Sequence, residues 1–274
     1  LFDLTLIAIL IGTIAAGVGS VWLAAALSLA MLGRFTQHML SLAAGALMAT
    51  AFLHLLPEAF ESQASAHELF AMLLGGLVFF FLLDKAELWH HGHEHSQPPL
   101  PQAGGATDQA VGHAHHAHHH DHGGKSGGWA VLAGDSVHAF GDGVLIASAF
   151  LADMRLGIVT SLAVLAHEVP HHIGDLIVLR QTSGTQRAAL IKVSLAGTVT
   201  ALGGLAGYFL LSSLESFIPY FLVAASSSFV YVALADLIPQ LQKRLSLRET
   251  VAQVSWLLAG IALVTLISGL AHGQ

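Results

Sequence analysis

The sequence predicts an all-α integral membrane protein with eight transmembrane helices. Three observations carry that reading: the composition, the spacing of the apolar runs, and the distribution of the few cations. Of 274 residues, 54% are hydrophobic and only 10% are charged, with a mean hydropathy of +0.69. Soluble domains are about 45–50% apolar and about 25% charged, so this chain lacks the polar groups to solvate its own surface. A membrane-spanning helix needs roughly 20 mainly apolar residues, and the chain has room for many of them.

The first run covers 4–32 and the second 37–58, with Arg34 between them. The third, 68–89, carries Lys85 and is followed by the one real interruption, 90–127, where histidine, glycine, proline and acidic residues replace apolar ones. Such a composition cannot bury a core and reads as a disordered loop. The fourth and fifth runs, 129–152 and 156–179, are separated by Arg155; the sixth, 188–212, follows Arg180 and Arg187 and contains Lys192. The last two, 217–241 and 250–271, flank Lys243, Arg244 and Arg248. Together with Lys125, nine of the ten cations therefore sit at odd-numbered connections and one, Arg155, at an even-numbered one. By the positive-inside rule the odd connections face the cytoplasm. Both termini then lie outside and the histidine-rich loop inside. The chain opens on Leu1 rather than methionine, and a short N-terminal piece is expected before it.

A weak internal repeat fits this orientation. Leu53 to Glu58 reads L-H-L-L-P-E and Ala235 to Gln240 reads A-D-L-I-P-Q, which places His54 over Asp236. The two copies run in opposite directions, a pattern that transporters often show.

The composition also excludes chemistry. With no cysteine there is no disulfide scaffold, no thiolate ligand and no cysteine nucleophile. A formal charge of -7 argues against nucleic acid as a partner.

The strongest signal is polar. Span 4 carries Asp135, His138 and Asp142; span 5 carries His167, Glu168, His171, His172 and Asp175. Each ionisable group at bilayer depth costs at least about 2.5–3.5 kcal/mol and is functional by default. His138 with Asp142, and His167 with His171, are spaced four apart, so each pair shares a helix face and the two pairs converge near the midplane. Three imidazoles and one carboxylate suit Zn²⁺, whereas Mg²⁺ and Ca²⁺ prefer oxygen cages. Ligand type alone leaves Fe²⁺, Mn²⁺, Co²⁺ and Cd²⁺ as alternative cargo. Pro170 removes a backbone N–H beside His167 and is expected to kink span 5. The alternative reading of these residues is hydrogen-bonding glue between helices.

The motifs D-S-V-H-A-F-G-D-G and H-E-V-P-H-H-I-G-D resemble those of the ZIP family of divalent metal-ion transporters, in the branch reading H-N-F-x-D-G and H-E-x-P-H-E-x-G-D. The resemblance extends to eight spans, the histidine-rich loop and H-x-x-P-E in span 2. It implies an inverted 3+2+3 bundle, a metal site between helices 4 and 5, and zinc uptake into the cytoplasm without ATP. It also implies a homodimer and a helix bundle that moves with the site. In this chain Ala139 stands where the family has asparagine, His172 where it has a second glutamate, and Thr200 where some relatives have a glutamate. A neighbouring second metal would lose two oxygen ligands, so one well-formed site is expected. Glu168 is then an acidic ligand or an orienting partner. His54 and Glu58 toward the outer end, and Asp236 toward the inner end, become groups along the path, with a polar helix terminus as the plainer reading of Glu58.

Eleven of the nineteen histidines fall in the loop: His90, His91, His93, His95, His113, His115, His116, His118, His119, His120 and His122. Neutral imidazoles on a flexible chain capture zinc loosely, which suits a cytoplasmic acceptor or regulatory sensor; a solvated linker is the alternative. The division expected is 1–89 and 128–274 as membrane helices around the 90–127 loop, in a bacterial inner membrane. His167 to His171 also matches H-E-x-x-H, the signature of zinc proteases, but Pro170 disturbs that helix and an enzyme is not expected. A membrane metal sensor without transport is the remaining alternative.

Overall fold

The structure is a computed structural model and describes residues 3–30, 36–92, 126–183, 185–241 and 246–272. Among them it contains only helices, arranged as eight rods. Rod α1 joins Leu4–Ile14, a π-helical turn Ala15–Gly19 and Ser20–Ala30; α2 joins Thr36–Thr50, a second π turn Ala51–Leu55 and Leu56–Phe60. The others are α3 (Ala66–Gly92), α4 (Ser126–Ala152), α5 (Met154–Ser183), α6 (Gln186–Leu211), α7 (Ile218–Leu241, after a 3₁₀ turn Glu215–Phe217) and α8 (Leu247–His272). Six are long and apolar enough to cross a membrane by length and composition. The remaining two, α4 and α5, are 27 and 30 residues long and carry the polar motifs.

The helix starts follow from local chemistry. Asp3 accepts from the Thr5 N–H and caps α1, and Thr185 accepts from the Ala188 N–H and caps α6. Ser65 and Glu68 form a reciprocal capping box at α3, and Ser246 and Glu249 form another at α8. Side-chain caps thus open α1 and α6, and capping boxes open α3 and α8, which is the correspondence an inverted repeat requires. The π turn in α2 precedes Pro57, whose missing N–H interrupts the i→i−4 ladder there. Helix α5, by contrast, stays helical through Pro170 as far as Ser183.

Helix α4 packs most extensively on α6, α2 on α8, and α3 on α7; α5 bridges α4, α1 and α2. The α4–α6 approach depends on glycine. A Cβ on Gly143 would meet the Thr200 carbonyl and lie 2.6 Å from the Gly204 nitrogen, and one on Gly203 would meet the Phe140 carbonyl. Only residues without side chains let two backbones come this close. The core between the rods is apolar, with Ile9, Leu47, Leu69, Ile146, Leu222 and Phe229 fully buried. Leu74, Phe79, Leu82, Leu195, Leu258 and Leu266 are exposed instead. Large apolar side chains facing outward from every such rod are what a hydrocarbon solvent accepts and water does not.

Several described helices run up to four residues past the apolar runs, so α3 extends to Gly92 and α4 begins at Ser126; residues 93–125 of the expected 90–127 loop lie outside the described residues. Of His90, His91 and Asp236 only the helical backbone is described. His93, His95, His113, His115, His116, His118, His119, His120 and His122 lie outside the described residues.

Candidate metal site

Helices α4 and α5 lie side by side and turn their polar faces toward each other. His138 and Asp142 project from α4, His167 and Glu168 from α5, with ligand atoms that all fall within 4.8 Å of one another. His138 Nε2 is 3.4 Å from His167 Nε2 and 3.4 Å from Glu168 Oε1. His167 Nε2 is 3.4 Å from Asp142 Oδ2 and 3.0 Å from Glu168 Oε1, and His138 Nε2 is 3.7 Å from Asp142 Oδ2. A tetrahedral ion with bonds of about 2.0–2.1 Å sets its ligands about 3.3 Å apart. Five edges of that tetrahedron are therefore present, within a few tenths of an ångström.

The electrostatics agree. Asp142, His167 and Glu168 are almost fully buried, and His138 is partly exposed. Asp142 Oδ2 and Glu168 Oε1 make no hydrogen bond among the described residues. Two carboxylates buried this close together are a costly arrangement that a dication relieves.

The sequence reading named both Glu168 and His171 beside His138, Asp142 and His167. The structure groups Glu168 with those three, and His171 lies outside the four-atom set. Four residues along a helix are about 6 Å of rise, which carries His171 past the level of His167, while Glu168 is one step away and long enough to reach sideways. His171 is half-exposed, stacks on His138 with ring centroids 5.9 Å apart, and directs Nδ1 to within 3.7 Å of Asp175 Oδ2.

A second group lies between the same helices. Asp135, His172 and Asp175 also bring ligand atoms within 4.8 Å of one another. Glu168 touches it as well, with Oε2 3.3 Å from His172 Nε2. The contact that sequence reading missed is Ser20 of α1, whose Oγ lies 3.1 Å from His172 Nδ1. The only advance signal was a serine inside an apolar run. Ala139 is buried, and Thr200 packs against Gly17 of α1.

His54 and Glu58 lie apart from both groups. With Glu61, Asp153, Arg155 and Ser268 they line a cavity of about 320 Å³ between α2, α8 and the start of α5. Asp153 also caps α5, accepting from the N–H groups of Arg155 and Leu156 at 2.8 and 3.1 Å.

A family model described as "Zip: ZIP Zinc transporter" matches residues 3–268. Human zinc transporter ZIP13 is 29% identical over 278 residues, a match that covers 85% of this chain and 70% of the relative. Human zinc transporter ZIP4 is 29% identical over 251 residues, and there the match covers 76% of this chain but 39% of the longer relative. A ZIP13 homolog of Drosophila melanogaster is 27% identical, with coverages of 86% and 78%. These relatives are animal proteins and lend no support to a bacterial membrane.

Proposed function

The chain belongs to the ZIP zinc transporter family, and from that premise we propose that it carries divalent cations, Zn²⁺ foremost, into the cytoplasm through His138, Asp142, His167 and Glu168. Its relatives are transporters and not enzymes, so the H-E-x-x-H match in α5 is a ligand arrangement and not a protease centre. The observation that carries the reading is the near-tetrahedral set of buried ligand atoms, two of them carboxylate oxygens without a hydrogen bond.

The cation gathers first in the cavity lined by Glu58, Glu61 and Asp153, where acids concentrate positive charge. It sheds water as the two imidazoles and two carboxylates replace its hydration shell, and it moves inward along α4 and α5. The cation's own gradient, with or without counter-moving protons, drives transport. His90 to His122 receive or sense the ion on the cytoplasmic side. The protein sits in a lipid bilayer as a homodimer with both termini outside. His54 and Asp236 line the path toward its two ends.

Zinc flux into proteoliposomes tests this. Uptake above that of protein-free vesicles, lost in a His138→Ala and Asp142→Ala double variant, is expected. Binding without flux in correctly inserted protein would favour a sensor.

A further inference from the structure

Asp135, His172 and Asp175 are not explained by the transport site, and their surroundings are specific. Asp135 is 4% exposed at its side chain, yet neither carboxylate oxygen makes a hydrogen bond among the described residues. Asp175 Oδ2 is buried in the same condition. Carboxyl oxygens without a hydrogen bond are costly to keep in an apolar interior, and a visiting cation relieves that cost.

The protonation of His172 can be read from its neighbour. Ser20 Oγ lies 2.8 Å from the Gly17 carbonyl oxygen, to which its single proton is donated. It must therefore accept at its other contact, from His172 Nδ1–H at 3.1 Å. A neutral imidazole protonated at Nδ1 has its lone pair on Nε2. That lone pair faces Glu168 Oε2 at 3.3 Å and Asp135 Oδ1 at 4.0 Å. Lone pairs facing anionic oxygens repel, and a cation between them turns every contact attractive. Histidines that ligate metals are oriented in this way, with the second ring nitrogen donating to a fixed acceptor.

We propose that Asp135, His172 and Asp175 form a second divalent-cation site, suited to a borderline ion that takes one nitrogen and two oxygens, and linked to the first through Glu168. Glu168 gives Oε1 to the first group and Oε2 to the second. Asp135 precedes Asp142 by seven residues and Asp175 follows Glu168 by seven, so the outer ligands of the two groups differ in depth by about 10 Å. The second site lies toward the Ser126 end of α4 and the Ser183 end of α5. It is not the neighbouring position that Ala139 and Thr200 strip of oxygen. Its place as an inner station rests on the transport reading; its binding of a cation does not.

The test counts zinc on the full chain. Protein is dialysed against buffered free Zn²⁺ and bound metal is measured by mass spectrometry, with the loop histidines contributing equally to every variant. Asp135→Asn with His172→Gln is expected to lose one zinc per chain, His138→Ala with Asp142→Ala another one, and all four substitutions two. An unchanged count in the first variant, a loss of two in it alone, or a combined loss of one overturns the proposal. Should the first variant fail to fold, anomalous scattering from Cd²⁺ bound to the unsubstituted protein decides. Two peaks, one among Asp135, His172 and Asp175, support the site; a single peak overturns it. Unchanged uptake in the His138 and Asp142 variant would instead defeat the transport reading and leave this count untouched.

Discussion

The rings of His138 and His171 stack, with centroids 5.9 Å apart and planes 24° from parallel. His171 thus packs against His138 without contributing to the four-atom set, and the two histidines of the H-E-x-x-H string occupy different surroundings. Removing His138, Asp142 or His167 takes away one ligand atom outright. Each alanine variant is expected to reduce zinc uptake by at least tenfold while the protein still inserts. His171→Ala leaves those atoms in place and is expected to weaken zinc binding by less than His167→Ala does. Parallel dialysis and flux measurements check the ranking, and equal losses would place His171 among the ligands.

Gly143 follows the ligand Asp142 and lies where α4 and α6 nearly touch. A side chain there meets the Thr200 carbonyl and the Gly204 nitrogen, both parts of rigid backbone. Gly143→Val is expected to force the helices apart, costing about 1–3 kcal/mol as an overpacked contact does and displacing Asp142. Thermal melting in detergent should fall together with uptake. A variant with unchanged melting and flux would show that the two helices separate without consequence.

The eight rods were legible because hydrocarbon demands a single kind of segment, and the α4 and α5 motifs stood out as charge where charge is expensive. Glu168 was harder to place than His171, because helical spacing reports shared faces and not side-chain reach or axial level. Ser20 was not legible at all. Its contact with His172 joins residues 152 apart, and no periodicity within α1 or α5 encodes which face of one meets the other. The paired capping signals were visible as S-x-x-E strings at Ser65 and Ser246, but only the helix starts gave them meaning.

Deleting residues 96–122 removes seven histidines and no residue of α3 or α4. The ligand groups between α4 and α5 are left intact. Flux at saturating zinc is expected to persist within about threefold, with a changed apparent affinity or a lost regulatory response, because single imidazoles add only weak, exchangeable binding. Complete loss of transport in the inserted variant would contradict an acceptor role.

Glu58 and Glu61 line the cavity beside Asp153 but are not in either ligand group. Acids at a mouth raise the local cation concentration without changing later steps. Glu58→Gln with Glu61→Gln is therefore expected to raise KM severalfold, most at low ionic strength where screening is weak, and to leave kcat nearly unchanged. Uptake kinetics at two salt concentrations separate this from a ligand defect, which would lower kcat at both.

Protons and zinc compete for the same lone pairs. His138 and His167 must each be free of a ring proton at the coordinating nitrogen, so lowering the pH opposes zinc binding and raising it favours binding. The apparent KM for zinc is expected to rise as the pH falls, by at most about two decades per pH unit, the limit set by two protons displaced per ion. In the His167→Ala variant, with residual binding followed by dialysis, the slope should fall by about one. A slope that stays the same in that variant would mean that the titrating groups lie elsewhere on the path.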